Sequence, residues 1–447
     1  MRKYKAALIN PGKNKQFSMQ EPLNIGFIAG FLEKHGVETK IIDELAGADV
    51  KKEVVKFMPD VVGITATTPL AEIAYQHADM CRKLGLKTVM GGVHASVMPE
   101  EALEHADIVV KGEGEQAMLD IILNDITQGI ISRPYYKNID EIPRPAYHLM
   151  DMDFYLTTRD RVPYSTSLFF APARSKVASL LTSRGCPHSC NFCHNSWKGM
   201  PYRNNSPERV AEDVKYLIDT YHIDALFFCD DNLFANRPSL KKICSLMEER
   251  RINIAWGCNA RADSVDPDTL RHAKKAGCRQ ITFGFESGSQ KILDRLDKKT
   301  TVETNKKAVE LCKEAGLLCV STFMLGNPDE TAEDVELTRK FILENDIDCI
   351  GLCITTPYPG TELWRWCQER RFIPENIKWS DFVADVSPIQ VSQYLKPELV
   401  KKYRGKIYLE FALKKRHFVD LLKVSLRHPL KTIKKVSSTF RHLWFSS

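Results

Sequence analysis

Short apolar runs alternate with amphipathic helical stretches twice along this chain, and that rhythm sets its fold class as α/β. In the first stretch, Ala6–Asn10, Val37–Asp43, Val61–Ala66, Thr88–Met90 and Ile108–Val110 read as strands. Leu23–His35, stopped by Gly36, Ala71–Leu84 and Gln116–Thr127 read as helices between them. Such a pattern predicts a doubly wound, Rossmann-like sheet over residues 1–128, with ligands beyond the carboxyl ends of its strands. Residues 129–173 break the rhythm with Pro134, Pro143, Pro145, Pro163 and Pro172, and read as a linker. The alternation returns over 174–380. Strands fit Val177–Thr182, Ala225–Cys229, Ala255–Asn259, Gln280–Phe285, Leu318–Leu325 and Asp348–Thr355, with helices such as Pro207–Thr220, N-capped by Ser206, between them. Six βα units predict a partial (β/α)6 TIM-like barrel, whose chemistry belongs at the C-terminal strand ends.

The 447 residues suffice for two or three domains, and 43% hydrophobic with 27% charged residues describes a folded, water-facing chain. No apolar run is long enough to span a bilayer. The apolar stretch behind the basic Met1–Lys5 is only Ala6–Ile9, too short for a signal-peptide core, so a cytoplasmic protein is expected. Thirteen scattered cysteines argue against a disulfide framework, and Cys244, Cys312 and Cys319 fit inert core positions. Charge is uneven: Lys396–Ser447 holds 14 Lys/Arg against 3 Asp/Glu, while the chain as a whole carries +6.

Three cysteines stand apart. Cys186-Pro187-His188-Ser189-Cys190-Asn191-Phe192-Cys193 forms a C-x3-C-x2-C run directly after the first strand of the second stretch. Thiolates ligate soft metals, and three clustered cysteines leave one iron of a [4Fe–4S] cluster open. The competing reading is structural zinc with His188 or His194 as fourth ligand; typical zinc sites pair two knuckles, and no second C-x2-C is present.

With an aromatic, Phe192, before its last cysteine, this run resembles the signature of the radical S-adenosylmethionine (SAM) superfamily. The resemblance covers roughly Val177 to Thr361. It implies that Cys186, Cys190 and Cys193 hold a [4Fe–4S] cluster whose open iron chelates SAM, and that a flavodoxin- or ferredoxin-type donor supplies electrons. It also implies SAM contacts from Phe192 and the later strand ends: Asp230 or Asp231 after the second strand, Asn259 and Arg261 after the third, Glu286 and Ser287 after the fourth, and Gly326 after the fifth. Arg261 suits a bidentate fork on the SAM carboxylate. Leu325-Gly326-Asn327-Pro328-Asp329-Glu330-Thr331 is similar to the family's GLPGET variant, departing from it at Asn327 and Asp329.

A doubly wound domain ahead of such a barrel resembles the cobalamin-binding branch of that superfamily, which includes class B methyltransferases and the anaerobic magnesium-protoporphyrin cyclase. The residues that carry this likeness imply a cobalamin site built from Asn10, Pro11, Gly12, Thr65, Thr67, Thr68, Gly91, Gly92, Val93, Gly112 and Gly114. The D-x-H-x-x-G motif that gives cobalt an axial histidine elsewhere is missing after the first strand. His94 is read as a loop residue, not a cobalt ligand. The alternative for this domain is a sheet without cofactor that serves as a docking platform.

Residues 381–447 read as a basic helical extension, with Lys401, Lys402, Arg404, Lys414, Lys415 and Arg416 interleaved with Phe411, Leu413 and Phe418. That composition suits peripheral contact with an anionic membrane or a helix packed on the barrel, and nucleic acid is not expected. Together these features predict a cobalamin-dependent radical SAM C-methyltransferase acting on a hydrophobic or lipid-like small molecule. A cyclase or other radical C–C bond-forming enzyme is the alternative. An iron–sulfur redox protein without SAM chemistry is the reading from another class.

Overall fold

The computed structural model describes residues 4–12, 20–157, 168–172, 174–194, 200–384 and 387–414. The N-terminal sheet contains β1 (Lys5–Asn10), β2 (Glu38–Asp43), β3 (Val61–Thr65), β4 (Lys87–Gly91), β5 (Ile108–Lys111) and β6 (Gly129–Ser132). All neighbours are parallel, in the order β2-β1-β3-β4-β5-β6. The crossovers are α1 (Leu23–Lys34), α2 (Val50–Phe57), α3 (Ala71–Lys83), α4 (Gly92–Val97) with α5 (Pro99–His105), and α6 (Glu115–Leu123). Ala7, Ile9, Val62 and Ile64 face one helical layer and Ala6, Leu8 and Val61 the other, as a sheet buried on both sides requires. The strand order reverses between β1 and β3, which opens a crevice beyond their carboxyl ends.

The sixth strand lies in the segment expected to be a linker. β6 is an edge strand with one buried residue, Ile131, so the hydrophobic pattern that marks the other strands is missing. The rest of that segment also packs. Ala146 donates its N–H to the Gly26 carbonyl, α7 (Met152–Thr157) follows, and Leu168 lies against Val177, Ala225 and Phe227.

The second sheet is β7 (Val177–Leu180), β10 (Ala225–Phe228), β11 (Ala255–Ala260), β12 (Cys278–Glu286), β13 (Leu318–Leu325) and β14 (Cys349–Ile354), all parallel and paired in that order. Between its first two strands lies a two-rung hairpin, β8 (Ser183–Arg184) with β9 (Arg203–Asn204). The helices are α8 (Pro207–Tyr221), α9 (Arg237–Glu249), α10 (Pro267–Lys275), α11 (Gln290–Arg295), α12 (Val302–Glu314), α13 (Ala332–Glu344) and α14 (Glu362–Glu369). Several begin on a side-chain cap, such as Ser206 on the Arg209 N–H and Asp266 on the Thr269 N–H.

An open parallel sheet leaves backbone groups unpaired on both outer strands. On β7, Glu21 Oε1 accepts the Ser179 N–H at 3.1 Å and the Tyr147 hydroxyl donates to the Ser179 carbonyl at 3.2 Å. On β14, the Leu352 N–H meets the Tyr408 hydroxyl at 2.8 Å and the Ile354 N–H meets the Ala384 carbonyl at 2.6 Å. Tyr408 belongs to α15 (Pro397–Leu413), which buries Val400, Ile407 and Phe411 against the barrel. The described part of the basic extension is therefore a cover for the barrel, and residues 415–447 lie outside the described residues. Among the described residues, no helix is long and apolar enough to cross a membrane.

Candidate cofactor site

The cysteine run leaves β7 through the β8–β9 hairpin, whose rungs Ser183–Asn204 and Arg184–Arg203 close the loop at its base. Gly185 turns the chain there with φ +77°, and a Cβ would come within 2.8 Å of the Pro201 carbonyl oxygen, so only glycine fits this turn. Cys190 is buried, whereas Cys186 and Cys193 are half-buried. Burial pushes the Cys186 thiol up. Among the described residues, no three thiol, imidazole or carboxylate side chains stand in a finished metal-ligating group. The donor set still suits an iron–sulfur cluster: three thiols on one short loop, one of them accepting a hydrogen bond from Arg261 Nη1 at 3.4 Å.

The loop is pinned from outside. Asn191 receives the Leu363 N–H at 3.0 Å, and donates from its backbone N–H to the Leu296 carbonyl at 3.2 Å and from its side chain to the Arg295 carbonyl at 2.7 Å. Phe192 packs among Tyr358, Trp364 and Phe382, with the Lys298 ammonium 5.8 Å from its ring centre.

Asp230 is fully buried; Oδ1 accepts from the Thr182 N–H and hydroxyl, both at 3.0 Å, which ties the ends of β7 and β10 together. Its Oδ2, and Nδ2 of neighbouring Asn232, are buried without a hydrogen-bond partner among the described residues. A buried acceptor and a buried donor left open two residues apart in the chain fit a zwitterionic ligand such as the amino acid portion of SAM. Burial raises the Asp230 carboxyl to about 6, against the hydrogen bonds from Ser183 and Thr182. Asp231 is exposed, and Asn259 donates to the Asp230 carbonyl at 3.1 Å. Glu286 holds a left-handed φ of +63°, a strained setting for a side chain with Cβ, and binds Lys298 Nζ at 2.7 Å.

Arg261, Ser287 and Gly326 are, like Asn259 and Glu286, engaged by protein. Arg261 turns Nε and Nη2 onto Asp263 at 3.0 and 2.9 Å, so the fork expected for a ligand carboxylate is closed by a neighbour two residues away. Ser287 shares a hydrogen bond with Thr338, and Gly326 packs against Val400 of α15. In the loop after β13, Glu330 is fully buried and accepts the backbone N–H groups of Gly326 and Asn327; Asn327 in turn receives the Thr355 hydroxyl at 2.8 Å.

In the N-terminal sheet, Asn10, Pro11 and Gly12 end β1 beside the crevice; Asn10 donates to Asp43 and the Gly12 N–H to Glu44. Thr65 accepts from Asn24 at 2.8 Å, while Thr67 and Val93 are exposed at the same edge. Gly91 and Gly92 lead into α4, and Gly92 adopts φ +86°, where a Cβ would meet Thr65 Oγ1 at 2.7 Å. Gly112 donates to Ser96, and Gly114 packs on Ile28. Thr68 is buried with His94. His94 lies in α4 instead of a loop, fully buried, with Nε2 2.9 Å from the Tyr75 hydroxyl and Nδ1 3.3 Å from the Thr68 hydroxyl. Burial, helped by repulsion from His194 of the cysteine loop, lowers its imidazole to about 4. The base of the cysteine loop lies against the N-terminal sheet through the ion pairs of Arg184 and Arg203 with Glu113 and Glu115.

Sequence reasoning missed Asp263, Lys298, Glu330 and Glu21. Asp263 and Glu330 take partners two to four residues away, Arg261 for the first and Gly326 with Asn327 for the second, which a short turn brings together; Lys298 and Glu21 reach partners through the fold, with no local signal.

Residues 180–342 match the radical SAM superfamily and residues 18–122 match the B12 binding domain. An uncharacterised methyltransferase of Pyrococcus horikoshii is 32% identical over 88% of this chain and 88% of its own. The anaerobic magnesium-protoporphyrin IX monomethyl ester cyclase of Rubrivivax gelatinosus is 26% identical over 77% of this chain and 66% of its own. The cobalamin-dependent SAM radical enzyme OxsB, solved with aqua-cobalamin and SAM bound, shares the fold at a TM-score of 0.72 and 16% identity, over 99% of this chain and 75% of that one. With a cysteine loop beyond the first barrel strand and a B12-binding sheet lying against it, this chain belongs to the cobalamin-dependent radical SAM enzymes, which work with a [4Fe–4S] cluster, SAM and cobalamin.

Proposed function

We propose that this enzyme is a C-methyltransferase acting on an unactivated carbon of a hydrophobic small molecule. The observation that carries the reading is the cysteine loop, closed by its hairpin and lying against the B12-binding sheet. Cys186, Cys190 and Cys193 would each hold one iron. When bound, the cluster supplies the electron that splits SAM, and cobalamin supplies the methyl group. Arg261 donates to Cys190 and braces it through Asp263. Asp230 and Asn232 offer their open polar atoms to the amino acid end of SAM, with the Glu286–Lys298 pair flanking the loop at Phe192. Thr65, Thr67, Gly92 and Val93 rim the crevice assigned to cobalamin. Half-buried Thr322, Met324, Gly351 and Cys353 alternate with the buried outward-packed residues of β13 and β14. They give the inner face of the barrel an uncharged lining suited to an apolar substrate. The basic residues beyond α15 would aid collection of such a substrate from an anionic membrane surface, and a small one-electron carrier would reduce the cluster.

Anaerobically reconstituted protein should hold about four irons and four sulfides per chain. Cys186→Ala, Cys190→Ala and Cys193→Ala should each abolish that content, and zinc in place of iron would refute the assignment. Incubation with methyl-deuterated SAM, a reductant and hydrophobic extracts should yield a product carrying the labelled methyl. The relationship to a cyclase supports a second reading with the same cofactors; an unlabelled product that has lost hydrogen on closing a ring would select it.

A further inference from the structure

The Gly112-Glu113-Gly114-Glu115 turn runs from β5 into α6, and its two glutamates reach the β8–β9 hairpin. Glu113 binds two arginines: Arg203 through both Nη1 and Nη2, at 3.1 and 2.8 Å, and Arg184 Nη1 at 3.1 Å. Glu115, at the first turn of α6, binds Arg184 Nη2 at 2.6 Å. Arg184 and Arg203 are paired residues on β8 and β9, the rung that closes the cysteine loop two residues before Cys186. Each guanidinium also lies over an aromatic ring, Arg184 on Phe27 of α1 and Arg203 on Tyr135. Arg203 further donates to the Tyr136 carbonyl at 2.9 Å and to the Pro201 carbonyl at 3.2 Å. All four charged side chains are at most 14% exposed.

A buried ion network adds little stability over apolar packing of the same volume, but its forked geometry admits one arrangement of the parts that it joins. Here the parts are the base of the cysteine loop and the turn after β5 of the B12-binding sheet. Apolar residues would let the hairpin slide on the sheet; planar guanidinium–carboxylate pairs stacked on rings do not.

We propose that Arg184 and Arg203, held by Glu113 and Glu115, are positioning residues that set the placement of the cluster relative to cobalamin. The proposal rests on the cofactor reading above. They act through the loop that they close. Substitution should leave both cofactors bound and change their mutual geometry.

The test uses full-length protein reconstituted with iron and sulfide, loaded with hydroxocobalamin and reduced with dithionite. Paramagnetic cob(II)alamin near a reduced cluster relaxes faster than it does alone, and the microwave power that saturates its electron paramagnetic resonance signal reads that proximity. Glu113→Gln is isosteric and Arg203→Lys keeps the charge while losing the fork. Both should retain wild-type iron and cobalamin content, yet saturate at lower power, toward the value of the cluster-free Cys190→Ala protein. A Glu113→Asp variant, which keeps the carboxylate, should recover part of the effect. Wild-type saturation in Glu113→Gln and Arg203→Lys, with both cofactors present, overturns the latch alone. A wild-type protein that shows no cluster signal or retains no cobalamin overturns the cofactor reading and the latch with it. Loss of iron from both variants would make the arginines structural supports of the loop and also overturn the proposal.

Discussion

Two buried titratable residues act on stability in opposite senses over one pH range. Glu330 is fully buried, and desolvation raises its carboxyl to about 7 in spite of three hydrogen bonds from Gly326 and Asn327. Its folded state holds a proton that the unfolded chain has released, so its contribution is complete below about 4.5 and is lost as pH rises through about 7. His94 is the reverse. Kept neutral by burial down to about 4, it contributes fully above about 6.5, and that contribution is lost as pH falls toward 4. Each effect is worth on the order of 3 kcal/mol across its range. Urea unfolding of wild type, Glu330→Gln and His94→Gln between pH 5 and 7.5 should separate them. The stability that wild type holds over Glu330→Gln should shrink as pH rises, and that over His94→Gln should grow. Parallel profiles for all three proteins would show that neither group titrates in this range.

At the level of elements, the barrel stays open because both outer strands are capped by side chains and loops in place of a closing strand. Tyr408→Phe removes the acceptor of the Leu352 N–H and leaves it buried, which should cost about 1–3 kcal/mol. Tyr147→Phe should cost less, because the Ser179 carbonyl loses a donor while its N–H keeps Glu21. Chemical unfolding gives both numbers, and faster exchange of the Leu352 amide in Tyr408→Phe identifies the site; unchanged exchange there would reject the cap. These caps also mark where the sequence stops being readable. Eleven strands were legible because a short apolar run between amphipathic stretches is a local pattern. β6 was hidden by its single buried residue, and β8 and β9 by a length of two residues each. The cysteine loop was legible because its spacing is local. Glu21 was not, since its partner Ser179 stands 158 residues away. Lys298, 12 residues from Glu286, follows α11 in a turn without periodicity.

Across the whole molecule, charged side chains of the N-terminal unit reach the barrel unit at three places among the described residues. Glu21 reaches the edge of β7, Glu113 and Glu115 hold the hairpin, and the chain leaving the barrel returns to the N-terminal sheet at Trp379. There the indole N–H donates to Glu101 of α5 at 2.6 Å, the backbone N–H donates to Glu72 of α3 at 3.1 Å, and the ring stands edge-on to His94 at 4.8 Å. Entry and exit of the barrel are thus both fastened to the domain that binds the second cofactor, so relative motion requires breaking charged hydrogen bonds. Trp379→Phe keeps a ring and the backbone bond but loses the indole donor. A hydrogen bond to a carboxylate is worth about 1.5–3 kcal/mol, so the junction should loosen without unfolding. Hydrogen exchange should rise in α3, α4 and α5 and stay at the wild-type level in β11, β12 and β13. Glu101→Gln, which leaves a neutral acceptor, should raise exchange in the same helices by a smaller factor. Uniform acceleration through both sheets would mean that Trp379 supports global stability, and an unchanged map would mean that the other two junctions hold the units together without it.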